Sequence, residues 1–452
     1  MTTASLHSSL DDLLPEFTGA AEWVVGLSGG CDSTVLLHLL HTWLAGRQHA
    51  PLLRAVHVDH GLSESAADWR AHCQRTCEAL RVPLDCIEVT IGARASMEAA
   101  ARDARYQAFE SVLGPQAVLF LGHHLDDQVE TFFQRLLRGA GVDGLAAMPL
   151  RRPLGDAQLV RPLLSHERRQ LAEYAANHGL AYVEDPSNTD TDIDRNFIRH
   201  EVLPLIASRW PGYRKTVTRA TRHLTSARDT LHHQIGVPET LYSVLDDPGV
   251  ALGSLQGEAG SQRLRLWLQT QGCRAPDTSS LDEFVRQLRE AGVARAPRLT
   301  ARDYTLTRYA DAVYRLPELA PAPVAPLLLA PGRCLAVDGV GSIELVPVAA
   351  AGLVLRTGEA LQVRWRTGGE GARLVGRAAS ADLKGIFQEM RVPPWWRDRV
   401  PLLFDGDDLL SVADLAACQS ERWRDVAAPG EQLWRLVWRR DLQGGLVPPQ
   451  PA

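Results

Sequence analysis

The stretch Ser28-Gly29-Gly30-Cys31-Asp32-Ser33 stands directly between an apolar run, Trp23 to Leu27, and a helical segment from about Asp32 to Leu44. Two adjacent glycines let the backbone turn sharply and approach a ligand closely. A helix that starts just after them offers free amide N–H groups and the positive end of its dipole. The expected product is an anion cradle at the end of a buried strand. It is not a Walker A loop, which spaces its glycines further apart and sets a lysine before the Ser or Thr. The plainer alternative is a Gly turn in which Asp32 or Ser33 caps the helix. Ser-Gly-Gly-x-Asp-Ser after a buried strand is more specific than Gly-Gly alone.

Outward from this loop, short apolar runs alternate with longer helical segments as far as about Tyr182. Runs at Leu52 to Val58, Leu84 to Ile91 and Ala117 to Leu121 read as further strands; Ala66 to Leu80, Ser96 to Leu113 and Leu125 to Leu137 read as helices. The alternation predicts an α/β fold, a doubly wound parallel sheet whose post-strand loops share one ligand-binding edge. Beyond Arg195 helical stretches take over, at Arg195 to Ala207, Arg214 to His233 and Gln262 to Thr270, and an alternating piece follows at Tyr304 to Leu316. Pro317, Pro321, Pro323, Pro326 and Pro331 suit a semi-rigid connector. The expected domains are 1–212, a nucleotide-binding domain; 213–316, mainly helical; 317–345, a proline-rich linker; 346–441, a small α+β domain; and 442–452, a disordered tail.

Three further stretches carry chemistry. In Gly122-His123-His124-Leu125-Asp126-Asp127-Gln128-Val129-Glu130-Thr131, a helix beginning near Leu125 places Asp127 and Glu130 on one face at the ligand edge. Two carboxylates beside a phosphate loop suit Mg²⁺ on ATP oxygens. The rival is a transition-metal site pooling His57, Asp59, His60, His123 and His124, while Asp126 has the simpler option of capping the helix. Glu98-Ala-Ala-Ala-Arg102-Asp-Ala-Arg105-Tyr106 places an acid and two arginines near one stripe, which spacing alone reads as a solvated face. Finally, Glu184-Asp185-Pro186-Ser187-Asn188 leads to Arg195-Asn196 and Arg199-His200-Glu201. From Arg195 to His223 there are seven basic side chains and one acidic, in a chain whose net charge is -6, and this asymmetry favours a polyanion.

The loop resembles that of the ATP pyrophosphatases, which split ATP between its α and β phosphates and adenylate an acceptor. All four features in this order, with His57-Val-Asp59-His60-Gly61-Leu62, resemble the tRNA(Ile)-lysidine synthase family over about the first 205 residues. Leu383-Lys384-Gly-Ile-Phe-Gln-Glu-Met-Arg391-Val-Pro393-Pro394-Trp395 through Phe404-Asp-Gly-Asp resembles that family's C-terminal tRNA-binding domain. The resemblance implies a ligase that uses ATP and Mg²⁺ to adenylate C2 of the wobble cytidine of a CAU-anticodon isoleucine tRNA. Free L-lysine then displaces AMP to form a C–N bond. It further implies that Ser28, Gly29, Gly30, Cys31, Asp32 and Ser33, with His57 and His123, bind ATP. Asp32 and Asp127 would position Mg²⁺, Arg105 and Arg199 would offset phosphate charge, and Glu130 with Asp126 would meet the lysine. Arg195, Arg214, Lys215, Arg219, Arg222, Lys384 and Arg397 would meet the tRNA, and a homodimer is left open.

Two rivals keep parts of this pattern: a tRNA-cytidine thiolating enzyme, and a non-catalytic RNA-binding protein with a degenerate nucleotide fold. The first calls for a cysteine pair, yet none of the seven cysteines forms Cys-x-x-Cys, and the nearest pair is Cys73 and Cys77. The second sits poorly with an intact loop and both acidic positions. Of the 48 basic residues only Lys215 and Lys384 are lysines, and arginine forks suit phosphate. Arginines interleaved with tryptophans at 364–366, 395–399, 422–424 and 434–440 offer stacking on unpaired bases or, for several of the rings, core. The odd cysteine count, the lack of a signal-like start and the lack of an apolar run of ~18 residues predict a cytoplasmic protein off the membrane.

Overall fold

Leu52–Asp59 is a strand buried on both faces at its centre, where the successive residues Ala55 and Val56 are fully enclosed, and the central strands beside it are likewise continuously buried. The computed structural model describes residues 4–61, 66–89, 97–292, 295–356 and 358–440. Two compact units divide them, 1–234 and 235–452. In the first unit the strands are β1 (Glu22–Gly26), β2 (Leu52–Asp59), β3 (Leu84–Glu88), β4 (Val118–Phe120), β5 (Arg151–Leu154) and β6 (Ala157–Val160). Their order is β3-β2-β1-β4-β6-β5; β5 alone runs antiparallel to its neighbour.

The helices around this sheet are α1 (Ala4–Leu13), α2 (Cys31–Leu44), α3 (Ala66–Leu80), α4 (Met97–Val112), α5 (Leu125–Leu137), α6 (Val142–Leu145) and α7 (Arg168–Asn177). Strand alternation divides the core in two. Trp23, Val25, Ala55, Phe120 and Val160 pack with α1, α2, α3 and α7 on one face. Val24, Val56, Leu119 and Leu159 pack with Phe109 of α4 on the other. Both faces being covered is what near-continuous apolar strands require. The unit ends with α8 (Asp194–Phe197), a wider π-helical turn Ile198–Val202, α9 (Leu203–Arg209) and α10 (Tyr213–Ile235).

In the second unit α11 (Gly260–Thr270) and α12 (Thr278–Glu290) cover a five-stranded antiparallel sheet. Its strands are β7 (Leu241–Tyr242), β8 (Pro248–Ala251), β9 (Arg298–Thr300), β10 (Tyr304–Tyr309) and β11 (Ala312–Pro317), in the order β7-β8-β11-β10-β9. The alternating piece at Tyr304 to Leu316 is therefore the heart of a sheet that the helical reading of 213–316 did not contain. Two more five-stranded antiparallel sheets follow, one including Leu361–Arg364 and Leu402–Asp405, the other pairing Gly341–Val348 with Leu433–Arg439. α13 (Leu383–Glu389) packs beside them through Ile386 and Phe387.

Two boundaries differ from those read in the sequence. The first unit reaches 234, so α10 sits with the nucleotide-binding sheet and does not open the middle domain at 213. Its buried Tyr213 and Val217 pack against Val129 of α5, which ties it there. The stretch 317–345 is no free connector: Leu327–Leu329 and Cys334–Val337 are strands of the C-terminal sheets, because apolar side chains resume once the proline density thins. The expected tail, 442–452, lies outside the described residues, as do Leu62 and the far end of the run to Ile91.

Of the six tryptophans that sequence offered for base stacking or core, three are buried and Trp395, Trp423 and Trp434 are half-buried. Trp365, Trp396 and Trp438 are buried, and the Trp396 and Trp438 rings meet edge to face at 5.6 Å. Trp395 and Trp396 donate their indole N–H groups to Asp247 at 3.0–3.1 Å, and Ser243 donates its hydroxyl to the same carboxylate at 2.7 Å. Asp247 is 3% exposed. Burial pushes its carboxyl above the ordinary value, although Ser243, Trp396 and Trp395 pull the other way. The folded chain thus holds this proton more tightly than the unfolded chain, so Asp247 subtracts stability as pH rises from the ordinary carboxylate value through the raised one. Asp247→Asn should flatten that part of the pH profile of denaturant unfolding. Asp247→Ala, which strands three donors, should cost about 2–4 kcal/mol.

Candidate active site

The phosphate loop is held by its own backbone and by Ser33. Gly29 has φ +84°, and a Cβ there would lie 3.1 Å from Cys73 Sγ and 3.2 Å from Val183 Cγ2. Ser33 Oγ accepts from the Ser28 amide at 3.2 Å and donates to the Gly30 carbonyl at 3.1 Å. Gly30 is the extended residue before α2, and no side chain caps that helix. The first-turn amides at Cys31, Asp32 and Ser33 therefore point out for an anion. His57 is buried beneath the loop, its Nδ1 2.9 Å from the Leu27 carbonyl, so it braces the strand end.

β4 exits against the first turn of α2. At Gly122 a Cβ would fall 2.9 Å from the Asp32 carbonyl oxygen and 3.1 Å from the Ser33 amide, so no residue with a side chain fits. This approach sets α5 beside the cradle. His124 is the N-cap of α5, where its Nδ1 accepts from the Asp127 amide at 3.4 Å and its own amide donates to Asp127 Oδ2 at 3.0 Å, a reciprocal capping box. Its Nε2 lies 3.4 Å from Asp32 Oδ2 and 3.5 Å from Asp127 Oδ2. Burial works against a charge on this ring, yet Asp32, Asp127 and Asp126 outweigh it and hold His124 above the ordinary histidine value. His123 behaves oppositely: burial, with Arg161, Arg105 and Arg195 nearby, pushes it down to about 3, so it is a neutral ring.

Sequence reading set Asp127 and Glu130 on one face, and the structure places both there as the centre of an ion-pair network. Glu130 is 1% exposed. It accepts from Arg195 Nε at 2.7 Å and from Arg199 Nε and Nη2 at 2.6 and 2.9 Å. Asp127 Oδ1 accepts from Arg195 Nη2 at 2.5 Å. Burial favours the neutral acid at Asp127, but His124, Arg195 and His123 lower its pKa on balance. Arg195 and Arg199 reach inward from α8 and the π-helical turn, a widening common at functional sites.

Several residues sit where their expected roles do not put them. Arg195, expected to meet tRNA, is bound to Asp127 and Glu130. Arg214 donates from Nε to Asp126 Oδ1 at 2.6 Å, and Asp126 Oδ2 takes the Arg168 amide at 2.9 Å, so this pair staples α10 to α5 and α7. Glu130, expected to meet lysine, has both oxygens on arginines. Lys215, Arg219 and Arg222 are exposed along α10, one stripe at i, i+4 and i+7. In the other unit Lys384 is exposed on α13 and Arg397 donates from Nε to the Val392 carbonyl at 3.0 Å. Arg105 lies on α4 near Tyr106, Arg102 and Arg195, and burial with those two arginines lowers its pKa.

Of the groups that suit Mg²⁺, Asp32 fits: its Oδ1 is buried and without a hydrogen-bond partner at the mouth of the cradle. Asp127 fits less well, both oxygens being taken. The pooled-histidine site does not form, since among the described residues no group of three or more His, Cys, Asp or Glu is placed to hold a metal. Sequence reasoning missed His124 as the hinge of the site; its signal was its place before an acidic helix start, obscured because histidine is not among the usual N-caps.

A sulfur-carrying chemistry finds little support in the cysteines. Cys73 and Cys77 are buried on α3, and burial raises their thiols to about 12 and about 11.

A Gly-Gly phosphate cradle on a parallel sheet, faced by carboxylates and arginines, defines the class: a PP-loop, ATP-handling domain. The family model for the PP-loop domain matches residues 2–206, that for the TilS substrate binding domain 251–314, and that for the TilS substrate C-terminal domain 361–438. A tRNA(Ile)-lysidine synthase of Pseudomonas aeruginosa is 41% identical over 97% of this chain and 98% of its own, and one of Alkalilimnicola ehrlichii 39% identical over 92% and 93%. The chain belongs to the tRNA(Ile)-lysidine synthase family. Among solved structures, the U34-tRNA thiolase NcsA from Methanococcus maripaludis aligns with a TM-score of 0.41 and 17% identity over 49% of this chain and 78% of its own. No helix among the described residues is long and apolar enough to cross a membrane.

Two substitutions separate reactive from supporting carboxylates. Asp32→Asn, at a partly exposed position, should leave the unfolding midpoint within the error of measurement and reduce AMP release by a hundredfold or more. Glu130→Gln should weaken a buried pair holding two arginines, lowering stability by about 3–5 kcal/mol as well as activity. Thermal melts beside AMP assays distinguish the two.

Proposed function

We propose that this chain is a C–N bond-forming ligase that converts the wobble cytidine of a CAU-anticodon isoleucine tRNA to lysidine, consuming ATP and free L-lysine. The observation that carries this reading is the juxtaposition, across Gly122, of the phosphate cradle with the Asp32, His124, Asp127, Glu130, Arg195 and Arg199 network. The C2 oxygen of cytosine is a poor leaving group. It attacks the α-phosphorus, pyrophosphate departs, and the C2–O–AMP linkage then yields to an amine.

In this reading the first-turn amides of α2, with Ser28 and Ser33, hold the phosphates and His57 keeps their strand in place. Mg²⁺ on the triphosphate would supply charge neutralisation, with Asp32 to hold it. Glu130 acts through arginines: it fixes Arg195 and Arg199 so that their remaining N–H groups face the charge that develops on phosphate. Neutral His123 is a hydrogen-bonding ring. The ε-ammonium of lysine must lose a proton before attack. Lys215, Arg219 and Arg222 suit backbone phosphates of the tRNA, and nothing in this chemistry requires a second copy of the chain.

Two measurements test the proposal. Mass spectrometry of nucleosides from a CAU-anticodon tRNA incubated with enzyme, Mg-ATP and lysine should find cytidine replaced by lysidine; unchanged cytidine would sink the reading. Neutralising Lys215, Arg219 and Arg222 should weaken binding of any tRNA and flatten its log-log salt dependence by ~0.7–0.9 per lost contact, with anticodon discrimination intact.

A further inference from the structure

Between α7 and α8 the chain is tied down twice, and the two ties belong to different halves of the site. At the first, the Val183 amide donates to the Gly29 carbonyl at 2.9 Å, and Val183 Cγ2 fills the space beside Gly29 that a side chain there would need. The second comes from α8 and the π-helical turn. Asn196 is 6% exposed, and its Nδ2 donates to the Ser187 carbonyl at 2.8 Å and to the Asp190 carbonyl at 2.9 Å, which engages both amide hydrogens. His200 Nε2 lies 2.8 Å from the Asn188 carbonyl. A carbonyl oxygen only accepts, so the ring carries a proton on that nitrogen. Between the ties the chain forms a 3-10 turn, Pro186–Thr189, capped by Asp185, whose Oδ1 accepts from the Ser187 amide at 2.8 Å. The stretch 183–190 is therefore a strap with one end on the phosphate loop.

Residues 186–190 are all exposed, so no apolar core among them accounts for the grip. Its meaning lies in residue order. Arg195 and Arg199 bond Glu130, and the residue after each, Asn196 and His200, bonds the strap. One short piece of chain thus holds both the carboxylate of α5 and the strap that sits on Gly29. Gly122 already relates cradle and α5, and a single tie leaves room to hinge; the strap is a second, direct tie between the cradle and the arginines. Guanidinium groups that serve a charge developing only in the transition state must be placed closely, and an error of about 1 Å is felt in the rate of reaction more than in the binding of ATP.

We propose that Asn196 and His200 are positioning residues, clamping the strap 183–190 so that Gly29 of the phosphate loop stays in register with Arg195 and Arg199 during adenylation. The assignment rests on the adenylation reaction proposed above. Neither residue touches the nucleotide; both act through the strap.

The test pairs an opening measurement with a rate. In hydrogen exchange followed by mass spectrometry, His200→Ala, at an exposed position, should open the strap about fivefold faster and leave the melting midpoint unchanged. In ATP–pyrophosphate exchange with the CAU-anticodon tRNA the same variant should lose about fivefold in maximal rate at an unchanged KM for ATP, and Asn196→Ser, which replaces two donors by one hydroxyl, about twentyfold. His200→Gln, whose side-chain amide returns an N–H to the same carbonyl, should recover most of the rate. A strap that opens no faster, a faster strap with a wild-type rate, a raised KM at an unchanged rate, or a Gln variant as slow as the Ala variant would overturn the proposal. Absence of exchange in wild type would instead sink the adenylation reading, and the proposal with it.

Discussion

The site depends on one backbone contact, the approach of Gly122 to the first turn of α2. It puts the exits of β1 and β4 against each other, so that amides made for phosphate and a helix start rich in carboxylates occupy the same few ångströms. Neither half alone specifies the chemistry. A cradle without the second helix binds nucleotide, and the second helix without the cradle is an acidic helix with a good cap. His124 joins them, capping α5 through one ring nitrogen while the other lies beside Asp32.

Charge then decides what each part can do. Glu130, almost wholly enclosed, is tolerable only because two arginines meet it with short, directed hydrogen bonds, and in return it helps to fix both guanidinium groups. Asp126 and Arg214 perform the same service between α5 and α10, which makes the basic helix a part of the nucleotide domain. Among the described residues the arginines around Tyr106, Arg102, Arg152 and Arg161, form no ion pair.

Much of this architecture was readable in the chain because it is local. The strands at 52–59 and 118–120 and the helices 66–80 and 125–137 follow from apolar runs and helical periodicity, and the sharp Gly-Gly turn marks where the ligand edge lies. What escaped depends on distance along the chain. Arg195 looked like part of a basic surface, yet it closes on Glu130 from 65 residues away. Trp395 and Trp396 looked available to bases but are anchored by Asp247, about 150 residues earlier. The hairpin of β5 and β6, joined at Gly155 and Asp156, brings Arg152 and Arg161 beside Tyr106 although neither belongs to a recognisable motif. Spacing rules see neighbours on a helix or strand, and long-range ion pairs obey no spacing.

In the proposed reaction the C2 oxygen leaves the base on AMP. A CAU-anticodon isoleucine tRNA bearing ¹⁸O at C2 of its wobble cytidine, given to the enzyme with unlabelled Mg-ATP and lysine, tests it directly. Mass spectrometry of the released nucleotide should find the label in the phosphate of AMP, one atom for each lysidine formed. Unlabelled AMP accompanying lysidine would contradict the account.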